Sequence, residues 1–493
     1  LTDEPGALDV LIVGAGISGI SMGAHLKRMC PQLAFALVER REAVGGTWDL
    51  FRYPGVRSDS DMATLAFHFA PWTGDRGIAS GDEIRAYLER VVEEHGIGPH
   101  LRCGTRVLTA DWRSDEALWD VELENAAGCQ RLKARFLHLA SGYYDYDEPH
   151  QAALPGIEHF AGDVVHPQFW PEALNLAGKR VVVVGSGATA VSLVPALAER
   201  GASVTMLQRT PGWMVAQPSA DTLAERLKRL LPERLALRLN RWIKLRLGWA
   251  FFQRARGKPA QVAASLREHL RRQLGDHYDE ADFEPPYHPW EQRLCLVPDG
   301  DLFAAIRSGA VRVVTERIAG FAPEGVRLAS GALLPTDVLV TATGLKLQIG
   351  GGIGVSLDGQ PVRWERHWFY RNCLFSNVPN LAVVFGYLNA SWTLRADMVA
   401  EYVCRVLRHM DEVGARVAMP ELEEEHGMGE DDIILYSSGY LQRAKPLMPK
   451  SAATLPWRLN QNFLEDGRDY RQRPVADGVL RFLPAMAKRR EVA

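Results

Sequence analysis

Asp9-Val10-Leu11-Ile12-Val13-Gly14-Ala15-Gly16-Ile17-Ser18-Gly19 opens the first readable unit of the chain. Its apolar run has strand length, and its glycines follow the spacing G-x-G-x-x-G. An apolar stretch at helical spacing continues through Ile20, Ala24 and Leu26 to Pro31. A second strand candidate, Phe35-Ala36-Leu37-Val38, ends at Glu39. Strand, glycine turn, helix, strand and acid make up the dinucleotide-binding βαβ unit. Gly14 permits the tight turn, Gly16 lets a pyrophosphate approach the backbone, and Gly19 lets helix pack on strand. Ser18 lies inside the same turn, where free N–H groups and the helix dipole favour an anion. Glu39 is expected to accept hydrogen bonds from ribose hydroxyls.

A second unit starts at Arg180. Val181-Val182-Val183-Val184 leads into Gly185-Ser186-Gly187-Ala188-Thr189-Ala190, followed by a helix through Ala198. The next strand, Ser203–Leu207, ends in Gln208-Arg209. Ala190 stands where the motif has its third glycine, which the motif tolerates. An arginine in place of the acid accommodates a 2′-phosphate, so this unit is expected to take NADP, and the first FAD. One flavin unit and one NADP unit imply hydride transfer from NADPH to FAD.

The chain has 493 residues and a formal charge of −3. Near-neutrality gives no general reason to expect nucleic acid as a partner. Cys30, Cys103, Cys129, Cys295, Cys373 and Cys404 form no C-x-x-C pair. That spacing excludes a redox dithiol and a cysteine zinc site, and no metal is expected. No apolar run reaches membrane-spanning length, so the expected setting is the cytoplasm. The local charge is less even. From 221 to 275 there are 14 Lys/Arg against four acids, a net of +10, interleaved with Leu, Trp and Phe. A basic amphipathic helix of this kind can lie in a membrane interface. The preferred reading is a helical domain packed on the NADP domain with a solvated basic face.

The expected fold is α/β, with two doubly wound dinucleotide-binding domains and a helical insertion. Residues 1–150 are assigned to the first part of the FAD domain and 151–215 to the first part of the NADP domain. The insertion is placed at 216–286, the second part of the NADP domain at 287–345, and the remainder of the FAD domain with the C-terminal region at 346–493.

The missing dithiol leaves oxygen or another acceptor for the reduced flavin. Phe160-Ala161-Gly162-Asp163-Val164-Val165-His166-Pro167-Gln168-Phe169-Trp170-Pro171 matches F-x-G-x-x-x-H-x-x-x-W-P, a pattern of type I Baeyer–Villiger monooxygenases. Gly45-Gly46-Thr47-Trp48, Tyr53-Pro54-Gly55 and Asp59 meet a second pattern of that family, and Ala342-Thr343-Gly344 a third. Over nearly its whole length the chain resembles these enzymes, and within them the ethionamide-activating branch. Gly46–Gly55, Gln292–Pro298 and Asn389–Leu394 carry that closer likeness.

The resemblance implies that O2 adds to reduced FAD at C4a, and that the resulting peroxyflavin inserts one oxygen atom into a ketone, giving an ester or lactone. Sulfides and thioamides are implied as further substrates. It assigns Arg293 as the fixed cation of the reaction and Asp59 as its holding acid. Physically, a permanently charged guanidinium suits this task because it cannot release its proton. The resemblance places His166 at the interdomain hinge, coupling domain motion to catalysis. It places Gly46, Thr47, Trp48, Asp49, Leu50 and Val107 among the flavin contacts, and Arg57, Ser58 and Asp59 among the NADP contacts. Trp392 is expected at the nicotinamide ribose or the substrate, with a core tryptophan as the alternative. Two other functions stay open: an N- or S-oxygenating flavin monooxygenase, against which Trp170-Pro171 argues, and a non-catalytic flavin-binding redox sensor. The sequence does not set the physiological substrate or the oligomeric state.

Overall fold

The computed structural model describes residues 6–423, 428–431 and 437–484. In the first unit, strand Leu8–Val13 runs into helix Ile17–Met29 and strand Phe35–Val38. Leu8–Val13 pairs in parallel with Phe35–Val38 on one side and with Gly128–Leu139 on the other. Gly14 has φ of +104°, and a Cβ there would lie 2.7 Å from the Ala140 carbonyl oxygen. A Cβ on Gly19 would lie 1.8 Å from the Gly14 carbonyl oxygen, so only glycine lets the helix seat on the turn.

This first sheet is not purely parallel. Arg106–Arg113, Leu118–Asn125 and Gly128–Leu139 form an antiparallel meander at its side. Late segments complete it: Gly354–Leu357 pairs with Arg106–Arg113, and Leu381–Val383 with Gly128–Leu139. Helix Trp392–Val413 then packs on Ile17–Met29, so the first unit is built from both ends of the chain. Ser21 donates to Asp397 across that contact at 2.7 Å.

The second sheet is wholly parallel, in the order Val311–Thr315, Ser203–Gln208, Arg180–Val184, Val338–Thr341, Asp163–Val165. Helix Ala188–Glu199 follows the second glycine turn. The two segments that join the domains are bound to each other. Lys346 Nζ lies 2.8 Å from Asp145 and 2.6 Å from Glu148, and Gln348 N donates to the Tyr143 carbonyl at 3.0 Å.

Strands Met214–Gln217 and Cys295–Pro298 pair in parallel, and the helices of the insertion lie between them. Its helices are Thr222–Leu230, Glu233–Gly257 and Pro259–Leu274, with a short Glu280–Phe283. Leu270 and Leu274 join the core of the second domain, as the packed-domain reading expects. The long helix also binds the first domain, which that reading does not include. Arg241 donates to the carbonyls of Ala63, Thr64 and Ala66 at 2.9, 3.3 and 2.7 Å. Lys244 pairs with Asp61 at 2.5 Å and with Asp221 at 2.6 Å. The cations at these positions are therefore structural ties and not part of a solvated face.

Candidate active site

A cavity of about 290 Å³ runs between the two dinucleotide units. The first unit supplies Gly14, Gly16, Ser18 and Glu39 to its wall, the segment after it Gly46, Thr47 and Trp48, and the meander Val107. Arg57, Ser58 and Asp59 enter from the first domain, and Ala188, Thr189 and Arg293 from the second. Trp392, at the start of its helix, closes one side.

The first half of the cavity has the chemistry of a flavin dinucleotide site. Gly16 caps helix Ile17–Met29 with no side-chain partner, so the first N–H groups of the helix remain available to an anion. Gly16 also faces Gly46 closely, a Cβ on it lying 3.5 Å from the Gly46 Cα. Glu39 is buried at the wall; it accepts from Ala15 N at 2.8 Å and from Arg41 N at 2.9 Å. Burial pushes its carboxyl above the ordinary range, against the pull of those two donors. A carboxylate has room for more than two donors, so Glu39 keeps acceptor positions that suit ribose hydroxyls. These residues fit FAD.

The second half presents the uncapped N-terminus of helix Ala188–Glu199 beside the cavity. Gly185, Ser186, Gly187 and Ala190 form the turn and first helical turn behind the wall and do not line it. Ser186 Oγ donates to the Thr210 carbonyl at 2.8 Å, fixing the turn to the end of the next strand. Arg209 is exposed at that strand end. Gln208, expected at the cofactor, is buried with its amide nitrogen on the Asp282 carbonyl at 2.7 Å and Thr315 Oγ1 at 2.8 Å. Of the pair, only Arg209 faces outward.

Arg293 and Asp59 come from opposite domains and meet at the cavity, Nη1 to Oδ2, at 3.1 Å. Arg293 is set by a turn at Pro289–Trp290, where Trp290 takes φ of +66°, and by the strand Cys295–Pro298 that follows. Asp59 lies in a loop anchored by Ser58, whose N donates to the Ala79 carbonyl at 2.9 Å while its Oγ accepts from Ala79 N at 3.2 Å. Burial works against the Arg293 charge, and Asp59 outweighs it, so the guanidinium is held more firmly protonated than usual. A second cross-domain pair, Arg57 with Asp301, stands beside the first.

Two aromatic contacts complete the wall. Trp392 stacks on Tyr143 at 4.8 Å, and its indole N–H donates to Ser18 Oγ at 2.9 Å. The Tyr143 and Tyr144 hydroxyls share a hydrogen bond of 2.5 Å. Tyr146 also lines the cavity, its hydroxyl pushed up to about 12 by burial. Tyr53 and Tyr387 are further wall residues that residue-type reasoning passes over. Tyr53 lies inside the Tyr-Pro-Gly motif and was findable; Tyr387 has no local signal.

Two expected flavin contacts sit elsewhere. Asp49 is buried and pairs with Arg41 and Arg52, each at 2.5 Å, and Leu50 belongs to the interdomain core; neither lines the cavity. His166 also lies outside the wall, between strand Asp163–Val165 and the turn Pro167–Phe169. Its Nδ1 accepts from Gln168 N at 3.2 Å, and burial lowers its pKa. Gln168 donates in turn to the Asp145 carbonyl at 2.7 Å, so His166 adjoins the crossing of the domain connections.

The chain is 46% identical over 477 residues to the FAD-containing monooxygenase EthA of Mycobacterium tuberculosis (strain ATCC 25618 / H37Rv), covering 96% of this chain and 97% of that one. It belongs to the FAD-containing monooxygenases. A probable FAD-binding monooxygenase, AlmA, of an Acinetobacter species is 43% identical over 479 residues, with 96% of each chain covered. A family model described as pyridine nucleotide-disulphide oxidoreductase matches residues 11–244. All six cysteines are free thiols.

Among solved structures, cyclohexanone monooxygenase bound to ε-caprolactone aligns with a TM-score of 0.71 at 22% identity, over 94% of this chain and 99% of that one. OTEMO in complex with FAD and NADP aligns at 0.69 and 23%, over 85% and 87%. The family, enzyme class and α/β fold with two dinucleotide-binding units expected from the sequence are thereby borne out.

Proposed function

We propose that this monooxygenase converts ketones into esters or lactones by the balance ketone + O2 + NADPH + H⁺ → ester + H2O + NADP⁺, and that it also oxidises sulfides and thioamides. The observation that carries the reading is the Arg293–Asp59 pair at 3.1 Å, in the wall of a cavity shared by both dinucleotide units. Bound FAD supplies the acceptor for hydride and the place where O2 is activated. The first unit holds it through the Gly14–Gly19 turn and Glu39. Arg209 and the N-terminus of helix Ala188–Glu199 hold the phosphates of NADPH.

Arg293 offers a fixed positive charge to the ketone oxygen as negative charge develops there, and it loses no proton in doing so. Asp59 keeps the guanidinium aimed into the cavity. Tyr143, Tyr144 and Trp392 provide apolar faces that exclude water and seat an alkyl or aryl group. His166 acts as a positioning residue at the domain crossing. Relatives named monooxygenases and the fold shared with cyclohexanone monooxygenase support the same reading.

The test is NADPH consumption with a panel of ketones and sulfides and identification of the products. Ester or lactone from ketones is the expected result. Sulfoxide or N-oxide as sole product would transfer the chain to the N/S-oxygenating class, and absence of turnover would make it a redox sensor.

A further inference from the structure

We infer that the insertion docks the enzyme on an anionic phospholipid surface, through the outer face of the helix Glu233–Gly257. The inner face of this helix buries Ala236, Leu237, Asn240 and Ala255 and is tied to the first domain by Arg241 and Lys244. On the opposite side, Leu235, Arg238, Trp242 and Arg246 follow at spacings of three and four and form one stripe. Leu235 is 52% exposed and Trp242 55%. Leu247, 62% exposed, and Phe251 are exposed further along the helix, about 140° and 180° round its axis from Trp242, and so lie off this stripe. Leu230, at the end of the preceding helix, is 79% exposed. Large side chains exposed in such number on one element mark an interaction surface.

Charge selects the partner. Arg229, Arg234, Arg238, Arg246 and Arg254 have no carboxylate partner among the described residues. Arg246 lies over the Trp242 ring at 5.2 Å, so cation and indole present themselves together. Basic side chains around Trp and Leu match a bilayer interface, with phosphates outside and acyl chains beneath. A second copy of this chain would bring like charge against like, which disfavours self-association through this face. Nucleic acid would satisfy the arginines but leave the aliphatic side chains in water.

The C-terminal part of the same helix reaches the segment that precedes Arg293. Phe252 packs edge-to-face on Trp290 at 5.5 Å, three residues before Arg293. An apolar ketone partitioned into the lipid would thus be concentrated beside the segment that carries the catalytic cation.

Co-sedimentation of the FAD-loaded enzyme with phosphatidylcholine vesicles, with and without phosphatidylglycerol, tests this. Binding is expected with phosphatidylglycerol at low ionic strength and should fall as salt rises. Leu235→Ser/Trp242→Ser and, separately, Arg238→Glu/Arg246→Glu should each weaken it by at least about tenfold. Both variants should retain bound FAD and NADPH oxidation with a water-soluble ketone, which excludes misfolding. The proposal is overturned if the parent enzyme does not pellet, or if both variants pellet equally well. It is also overturned if the substitutions change only the oligomeric state in gel filtration, or only binding to duplex DNA.

Discussion

Arg293→Ala removes a fixed positive charge from the cavity wall. A unit charge in contact with a developing oxyanion is worth about 4 kcal/mol at an effective dielectric near 20. Arg293 keeps 34% of its side chain exposed. Solvent screening cuts that figure to about 2–3 kcal/mol, or roughly 30- to 150-fold in rate. Losses on the order of 10²–10³ are typical for removing one oxyanion donor, so the estimate is of the right scale. The loss should be confined to oxygen transfer, because in the proposed function FAD rests on Gly14–Gly19 and Glu39 and the hydride donor on the second unit. Stopped-flow reduction by NADPH without O2 should therefore change little. With O2 and ketone, ester should fall by the stated factor while NADPH consumption continues and hydrogen peroxide accumulates. Arg293→Lys keeps a charge but loses the guanidinium fork against Asp59, and should fall between parent and alanine variant. Coupled ester formation at the parental rate in Arg293→Ala would refute the assignment. A collapse of flavin reduction would show that the residue serves the cofactors instead.

Glu39→Gln should weaken FAD binding by about tenfold or more, since a carboxylate accepting several donors becomes an amide with one acceptor. Burial raises the Glu39 pKa, so in the apoprotein this group contributes less stability as pH rises from the ordinary carboxyl value through the raised one. FAD affinity should rise over that same window, as the acceptor ionises; fluorescence titration should find the slope in the parent and not in Glu39→Gln. Arg209→Ala should raise the KM for NADPH by roughly tenfold and leave that for NADH unchanged, the loss expected for one charge-assisted phosphate contact. Equal effects on both coenzymes would remove Arg209 from the 2′-phosphate site. Arg241→Ala should cost about 2–4 kcal/mol, because three carbonyls lose their donor at a domain contact. Thermal unfolding should show this as a fall of several degrees, and an unchanged midpoint would mean that the tie carries no stability.

Both βαβ units were legible in the sequence because their signals are local: a strand-length apolar run, glycines at fixed offsets, and a helix. Strands Arg180–Val184 and Ser203–Gln208 of the second sheet were found for the same reason, whereas Asp163–Val165 was not read as a strand. The antiparallel meander Arg106–Leu139 went unread although its pattern is present, with Trp119, Val121 and Leu123 alternating with polar residues along one strand. Arg293 and Asp59 were identified only through resemblance, since an arginine after a Pro-Trp turn and an aspartate among serines carry no chemical signature alone. Side-chain direction was the least legible property. Nothing local says that Gln208 turns into the sheet while Arg209 turns out, because the partners that decide it, Asp282 and Thr315, are distant in sequence. The same applies to the insertion, whose basic residues look alike in sequence and divide in the structure into buried ties and exposed charges.

The site also depends on how the two domains sit together. Arg293 comes from the second domain and Asp59 from the first, and Arg57 of the first meets Asp301 of the second. Gly55 makes this approach feasible: a Cβ there would lie 2.4 Å from the Ser192 carbonyl oxygen. A rotation of one domain against the other would part both ion pairs and would move the cation relative to the flavin half of the cavity. The Lys346 pairs with Asp145 and Glu148 clamp the two connections about which such a rotation would turn. Arg241 and Lys244 of the insertion add a third point of attachment, on the loop and short helix that follow Asp59. In the proposed function, catalytic geometry is thus a property of the interface. Substitutions at Gly55, Lys346 or Arg241 should impair coupling of NADPH use to ester formation, even though none of these residues touches the Arg293–Asp59 pair.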